Sequence, residues 1–276
     1  MVHAARWRDL KVAVKSVVGH FVDAGIAMSS HSSGELDKEI AMLQQVRHAN
    51  IVLFFGAGTS PDGAPFLVTE LVELGTLADY LHTRTVDWKL KMVFAMDTAR
   101  GMAHVHSLGR MHRDLKSGNL LVSSSLHVKV ADFGTATIAS MAAMEAPSQG
   151  KDDVRMSSRA STQRTRGVGT PLWMAPEIIE GNLAYGPSAD MYSFGIVMWE
   201  IAAQAFPWND IPETNFFMEK LLGLIKEGRR PVVDAAWLPE YRALMVRCWA
   251  TEPEARPTFT EAYSSLESIN AQIIKS

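Results

Sequence analysis

The spacing of apolar positions changes character once along the chain, near residue 75, and that change divides the sequence into two kinds of structure. Before it the apolar runs are short. Leu10 to Val18 is rich in valine and reads as a strand. A stretch with Gly25, paired serines and His31 follows. Ser32-x-x-Glu35 then resembles a capping box opening a helix with Leu36, Ile40 and Leu43 on one face. Ile51 to Phe55 and Phe66 to Leu71 flank the turn-rich segment Gly58 to Pro65 and read as a hairpin. After Thr76 the patterns lengthen into helices: Trp88 to His106, Ser188 to Ala203, Glu219 to Lys226, Pro239 to Trp249 and Phe259 to Ile274. Ser188 to Ala203 is apolar on nearly every side, the mark of a helix buried all round. The predicted class is α+β, a small strand-rich lobe followed by a larger helical one, with the boundary near Val72 to Gly75.

Ala139 to Arg166 stands apart. Small and polar residues dominate it, with Arg155, Arg159, Arg164 and Arg166 scattered through. Such a composition buries too little apolar surface to hold one conformation, and a connection this long inside a compact domain is usually functional or disordered. No internal repeat of fixed period is visible.

Composition narrows the classes. The chain has 276 residues, 47% of them hydrophobic and 21% charged, with a formal net charge of −3. That suits a soluble globular protein and gives no basic excess for a nucleic acid or an anionic membrane. Its one cysteine, Cys248, excludes an intrachain disulfide and fits a reducing compartment. Met1 to Arg8 lacks the apolar core of a signal peptide, and the longest apolar stretches fall short of a membrane span. The expected location is cytoplasmic.

The strongest chemical signal is His112-Arg113-Asp114-Leu115-Lys116-x-x-Asn119. Val12-Ala13-Val14-Lys15 lies upstream on a strand, Asp132-Phe133-Gly134 follows, and Ala175-Pro176-Glu177 comes next. Alone, each has a bland reading: an amphipathic strand ending in a solvated lysine, a turn, a surface carboxylate. In this order and with these gaps they resemble the catalytic domain of the eukaryotic protein kinases, over nearly the whole chain. The resemblance implies a two-lobed kinase fold, with residues 1–72 as the small antiparallel-sheet lobe and 73–276 as the large helical lobe.

It also implies the roles of a template in which catalysis is positioning and charge neutralisation. Lys15 pairs the ATP phosphates, held by a carboxylate; Glu39 is the match for that partner and Glu35 the alternative. Asp114 is the general base for the substrate hydroxyl. Asn119 and Asp132 supply hard oxygen ligands to Mg²⁺, and Lys116 stands beside the transferring phosphate. Adenine would lie between Ala13 above and Leu121 below, with Val2 capping the pocket, Thr69 as gatekeeper, and backbone groups of Glu70 and Val72 at the ring edge. His112 and Phe133 would pack in a spine with Leu43 and Phe54. Asp190 would anchor the loop backbone, Glu177 would pair with Arg256, and Trp199, Trp249 and Cys248 would be core. His104 and His106, two residues apart, do not share a helix face and do not suggest a metal site.

Asp114 to Asn119 resembles the serine/threonine enzymes, as does Gly169 to Met174, while Arg247-Cys248-Trp249 and Tyr192 to Gly195 are shared with tyrosine kinases. The mixture resembles the tyrosine-kinase-like group that includes Raf and mixed-lineage kinases. Protein substrates with serine or threonine are the implied partners. Arg113 implies control by phosphorylation, from an upstream kinase or in trans, with Ser161, Thr162 and Thr165 as candidates; Thr170 is expected to contact Asp114 and Lys116.

The sequence departs from the family in one place. No G-x-G-x-x-G precedes Lys15, and only Val2 to Trp7 remains of the strand pair that brackets such a loop. The expectation is a fragment, or a false start, of a longer kinase, with weakened nucleotide affinity and an unpaired sheet edge. The competing class is a pseudokinase or docking module. A small-molecule phosphotransferase is disfavoured by Ala175-Pro176-Glu177 and the helices after it.

Overall fold

In the computed structural model, the residues described are 2–16, 40, 43–61, 63–132, 171–182, 185–211 and 217–275. Strand β1 (Val2–Trp7) turns directly into β2 (Leu10–Ser16), with Trp7 and Leu10 paired across the turn. Arg8 and Asp9 both take positive φ, 47° and 66°, the sign pattern of the type I′ turns that match strand twist in two-residue hairpins. Next come β3 (Phe54–Thr59) and β4 (Pro65–Glu70), and the four strands form an antiparallel sheet in the order β1-β2-β4-β3. This confirms the expected antiparallel small lobe, with β1 as an edge strand.

The expected hairpin starts three residues later than the apolar run at Ile51 suggested. Residues Asn50 to Val52 are committed elsewhere: Val52 N–H donates to the Val130 carbonyl at 2.9 Å, and Val130 N–H to the Asn50 carbonyl at 2.9 Å. These bonds stitch the strand lobe to a second, two-stranded sheet of β5 (Leu120–Val122) and β6 (Val128–Val130), strands too short to announce themselves by alternation.

Among the described residues, the helices that follow or flank that sheet are α1 (Leu77–Thr83), α2 (Trp88–Ser107), α3 (Pro176–Ile179), α4 (Ser188–Ala203), α5 (Phe217–Lys226), α6 (Pro239–Cys248) and α7 (Phe259–Lys275). The five helices expected after Thr76 match members of this set within a few residues, while the helix expected from Ser32 through Leu43 lies mostly outside the described residues, of which 40 and 43–45 are helical. α1 was not expected from periodicity, being only two turns long, but its cap is legible: Thr76 Oγ1 accepts from Asp79 N–H at 3.1 Å. Asp87 caps α2 in the same way, accepting from Leu90 N–H at 2.8 Å.

α4 forms the axis of the helical lobe. From Ala189 to Ala202 every side chain except Ser193 is buried, and each large apolar one contributes about 1.5–3 kcal/mol through removal from water. Gly195 has a packing reason: a Cβ there would lie 2.9 Å from Trp249 Cβ, so α6 can approach only a bare backbone. Cys248 and Trp249 are core as expected, and burial pushes the Cys248 thiol up to about 12, which makes it inert. At the seam between lobes Gly101 plays the same part, since its Cβ would meet the Asn50 carbonyl at 2.6 Å. One turn further along α2, His104 stacks on His48 with ring centroids 5.2 Å apart.

Candidate active site

The site begins with a buried carboxylate at the start of α4. Asp190 is 3% exposed. Its Oδ2 accepts from the backbone N–H of His112 at 2.8 Å and its Oδ1 from that of Arg113 at 2.8 Å. His106, in the last turn of α2, places Nε2 2.9 Å from Oδ2. Burial alone would raise the Asp190 carboxyl, but the hydrogen bond and charge of His106, with the contribution of His112, outweigh it and hold the group below the ordinary carboxylate range. The anchor is needed because Arg113 has φ of 66°, a strained choice for a residue with a Cβ. His112 is fully buried. Its Nε2 lies 2.8 Å from the Ala131 carbonyl, and its Nδ1 accepts from Asp114 N–H at 3.3 Å, so the network assigns the proton to Nε2.

That framework presents Asp114. Its Oδ2 accepts from Lys116 Nζ at 2.8 Å and from Asn119 Nδ2 at 2.9 Å. Asn119 Nδ2 also donates to the Asp114 carbonyl at 2.7 Å. Both partners are acceptors, so the amide nitrogen faces Asp114 and the amide oxygen is the atom left for a cation. The backbone then carries the arrangement across to the next residue of interest: Ala131 N–H donates to the Asn119 carbonyl at 2.8 Å, and Asp132 follows with φ of 62°. From the other lobe, Lys15 on β2 brings Nζ to 2.6 Å from Asp132 Oδ1, with both side chains a quarter to a third exposed. Lys15, Asp114, Asn119 and Asp132 therefore lie along one connected path between the lobes. The expected carboxylate partner of Lys15, Glu39, lies outside the described residues, as do Glu35, Phe133, Ser161, Thr162, Thr165 and Thr170. The carboxylate the structure gives Lys15 is Asp132.

The apolar side of the cleft is built from both sheets. Ala13 pairs with Thr69 across β2 and β4, and with Ala4 on its other flank. Val2 pairs with Lys15 and is 59% exposed. The connection out of β4 is zipped onto β5: Leu74 N–H donates to the Val122 carbonyl at 3.0 Å, Val122 N–H to the Gly75 carbonyl at 2.9 Å, and Thr76 bridges Leu121. Val72, in that connection, is buried. These bonds bring Thr69, Glu70, Val72 and Leu121 to the hinge between the lobes.

Two parts of the site were not read from the sequence. Glu70, expected for its backbone, also uses its side chain: both carboxylate oxygens accept from Lys129 Nζ, at 2.7 and 2.9 Å, and Oε1 from Leu53 N–H at 2.8 Å. The second is Glu200. It is the one carboxylate in the apolar run from Phe194 to Ala203, which is the signal that could have found it. Its oxygens accept from Ser117 Oγ at 2.7 Å and Trp173 Nε1 at 2.6 Å, and burial pushes its carboxyl up to about 8. The expected Glu177–Arg256 pair is present and bidentate, at 2.7 and 2.9 Å, with Arg256 wholly buried.

A family model described as protein tyrosine and serine/threonine kinase matches residues 1–266. The chain belongs to that family. The kinase domain is 36% identical to the probable serine/threonine-protein kinase drkD of Dictyostelium discoideum, over 99% of this chain and 19% of that protein. It is 31% identical to the dual specificity protein kinase pyk3 of the same organism, over 98% of this chain and 18% of that protein. To the serine/threonine-protein kinase STY46 of Arabidopsis thaliana it is 32% identical, over 89% of this chain and 39% of that protein. The chain thus spans well under half the length of the curated relatives it matches. No described helix is long and apolar enough to cross a membrane.

Proposed function

We propose that this kinase domain transfers the γ-phosphate of ATP to serine and threonine hydroxyls of protein substrates. One observation carries the reading: the 2.6 Å contact of Lys15 with Asp132 across the lobes, beside an Asp114 whose orientation is fixed by Lys116 and Asn119. The donor set suits Mg·ATP. An ammonium at Lys15 matches phosphate oxygens, while the Asp132 carboxylate and the Asn119 amide oxygen are hard ligands. Among the described residues no cluster of three or more His, Cys, Asp or Glu side chains could hold a metal unaided. A cation bound here would lean on phosphate oxygens and water, the habit of Mg²⁺ rather than of a caged metal. Bound Mg²⁺ supplies neutralisation of phosphate charge.

The residues supply the rest. Asp114 accepts or orients the proton of the acceptor hydroxyl, and its bond to Lys116 places a cation at the edge of the transferring group. Adenine is received between Ala13 and Leu121 beneath Val2, past Thr69, with its edge on the backbone of Glu70 and Val72. Glu39 remains the family's match for an active-state partner of Lys15. Residues 1–72 and 73–276 act as the two jaws. Serine/threonine preference rests on Lys116, Asp114 and the names of relatives such as drkD and STY46; pyk3 makes tyrosine the acceptor to test against it. An activating phosphate among Ser161, Thr162 and Thr165, from another kinase or in trans, fits the arginine-rich composition around them.

The test is phosphate incorporation from Mg·ATP into dephosphorylated casein and into matched serine, threonine and tyrosine peptides. General base removal by Asp114→Asn is expected to lower turnover roughly 10²–10⁴-fold, with serine and threonine peptides labelled over tyrosine. Equal labelling by the Asp114→Asn protein would overturn the assignment.

A further inference from the structure

We propose that His48 and His104 form a proton-sensitive clasp between the lobes, closed when His48 is neutral and opened when it takes up a proton, with ATP affinity falling as the clasp opens. The link to ATP rests on the kinase reading above; the clasp itself does not. The geometry dictates the closed state. His48 Nδ1 accepts from the backbone N–H of Asn50, two residues on, at 3.0 Å. That bond copies the turn an asparagine side chain makes with the same N–H. It needs a lone pair at Nδ1, so a proton there would set two donors face to face. The His48 ring lies on the His104 ring, with centroids 5.2 Å apart and planes inclined by 22°. Stacked rings present faces to one another rather than lone pairs, so His104 supports His48 without relieving it of a proton. His104 Nε2 is buried with no hydrogen-bond partner among the described residues, so no acceptor waits at that atom for a second proton.

The charges around the pair favour the same state. On α2 the neighbours are Arg100, held over the Tyr263 ring of α7 at 4.9 Å, and Asp97. Asp97 is already engaged by β6: its Oδ2 accepts from Val128 N–H at 3.0 Å and lies 2.8 Å from His127 Nδ1. Lys129, also on β6, is turned to Glu70. Arg47, beside His48 in its own loop, is exposed. Burial, then His104 and Arg100, hold His48 below its ordinary value of 6.5, against the pull of Asp97. Because the folded value is depressed, the corresponding stability is fully present above pH 6.5 and is lost as pH falls through the folded value.

Asn50 carries the effect to the site. It is 4% exposed, so water has little access to replace a lost acceptor. Its Nδ2 donates to the Val128 carbonyl at 3.0 Å, and its own carbonyl accepts from Val130 N–H at 2.9 Å. β6 leads from Val130 through Ala131, whose N–H is bonded to the Asn119 carbonyl, to Asp132, the partner of Lys15. A loop released at Asn50 therefore loosens the strand that sets Asp132 against the other lobe.

The experiment is urea unfolding and direct Mg·ATP binding on the full chain from about pH 7.5 down to about pH 5, against His48→Asn. Asparagine keeps an acceptor for the N–H two residues on and does not titrate. Comparing the two proteins at each pH cancels the titration of the nucleotide and of every other shared group. On acidification the parent should lose urea midpoint that the variant keeps. Its Kd for Mg·ATP should rise relative to the variant by up to about tenfold, the value of one net hydrogen bond. Parallel midpoints overturn the clasp. Diverging midpoints with a constant Kd ratio overturn its link to the nucleotide. Should the variant not fold, hydrogen exchange in residues 46–52 of the parent, corrected for the intrinsic rate, decides the matter. Protection of the Asn50 amide should fall below pH 6.5, and retained protection overturns the clasp. A parent chain that binds no Mg·ATP at any pH refutes the kinase reading and the link, while midpoints and exchange still decide the clasp.

Discussion

Lys15 and Asp114 face the same cleft, yet the two lobes hold them by different means. Lys15 rides on a thin sheet: every residue of β1 is exposed, and on β2 only Val12 is buried. Asp114 stands on a loop whose backbone is fastened at His112 and Arg113 by Asp190, at Ser117 by Glu200 and at its side chain by Lys116 and Asn119. A strand positions a side chain through its register, which neighbouring strands fix cheaply. A loop with a left-handed Arg113 has no register, so side chains must impose its shape one bond at a time. The teaching is that α4, with a buried carboxylate at each end, is the template for the chemistry, while the sheet is a holder that can shift. Changes that attack each holder separately should expose that asymmetry.

The largest effect is expected at Asp190. Asp190→Ala would strand the buried N–H of His112, the partly buried N–H of Arg113 and the His106 ring, at up to about 1–3 kcal/mol for each unsatisfied group. The loop would relax from its positive φ at Arg113, and turnover should fall with stability. Denaturant unfolding followed by tryptophan fluorescence measures the loss. A loss below about 1 kcal/mol would show that the loop holds its shape without α4.

Glu200 sharpens the same point through pH. Burial raises its carboxyl from an ordinary value of 4.5 to about 8, so the folded chain keeps a proton that the unfolded chain releases. The corresponding stability is fully present below pH 4.5 and is lost as pH rises through about 8. Against Glu200→Gln, whose side chain does not titrate, the parent should lose roughly 1.4 kcal/mol per pH unit across that window. The measurement is the difference in unfolding free energy between the two proteins at several pH values. Parallel curves would mean that Glu200 is ionised at neutral pH.

How far all this was legible depends on whether a feature is local in sequence. The helices Trp88–Ser107 and Ser188–Ala203 were read because periodicity or an unbroken apolar run repeats over many residues. Lys15, Asp114, Asn119 and Asp132 were read because their order along the chain resembles a family. Asp190 and the Glu177–Arg256 pair came from the same source. What escaped was pairwise and long-range. Glu70 and Lys129 are 59 positions apart and each looks like a surface charge in its own window. Ser117 and Glu200 are 83 apart, and a hydroxyl in a loop carries no hint of a buried acceptor. Strands β5 and β6, three residues each, are too short for alternation to mark them. The pairing of β6 with the Asn50–Val52 stretch, which moved the start of β3, could not be seen at all without the fold.

The Glu70–Lys129 pair joins the two holders, so it measures how strongly one depends on the other. Its side chains are about a quarter exposed, 24% and 22%, and the pair is bidentate on one nitrogen. Solvent screening leaves such a pair about 0.5–1 kcal/mol. Lys129→Met keeps the stem and removes the charge, and is expected to lower stability by that amount. The greater effect should appear in the KM for ATP, because Glu70 also holds Leu53 N–H at the hinge. An unchanged ATP KM would show that the β3–β4 ladder alone fixes the hinge.

The smallest effect is expected in the strand lobe itself, at Leu10. Its side chain is 51% exposed at the hairpin turn, across from Trp7, which meets the Phe55 ring at 5.9 Å. Leu10→Thr removes partly solvated apolar surface and installs a β-branched residue suited to a strand, two opposing changes of a few tenths of a kcal/mol each. Their sum should fall within about 0.5 kcal/mol of the parent, as for surface changes that touch no cap, core or buried network. Solubility is the more sensitive readout, since an exposed apolar side chain beside an edge strand invites pairing with another chain. Light scattering at matched concentration should show less association for the threonine variant. If Leu10→Thr instead costs more than about 2 kcal/mol, the sheet is being held by packing at its tip, and Lys15 is fixed as firmly as Asp114.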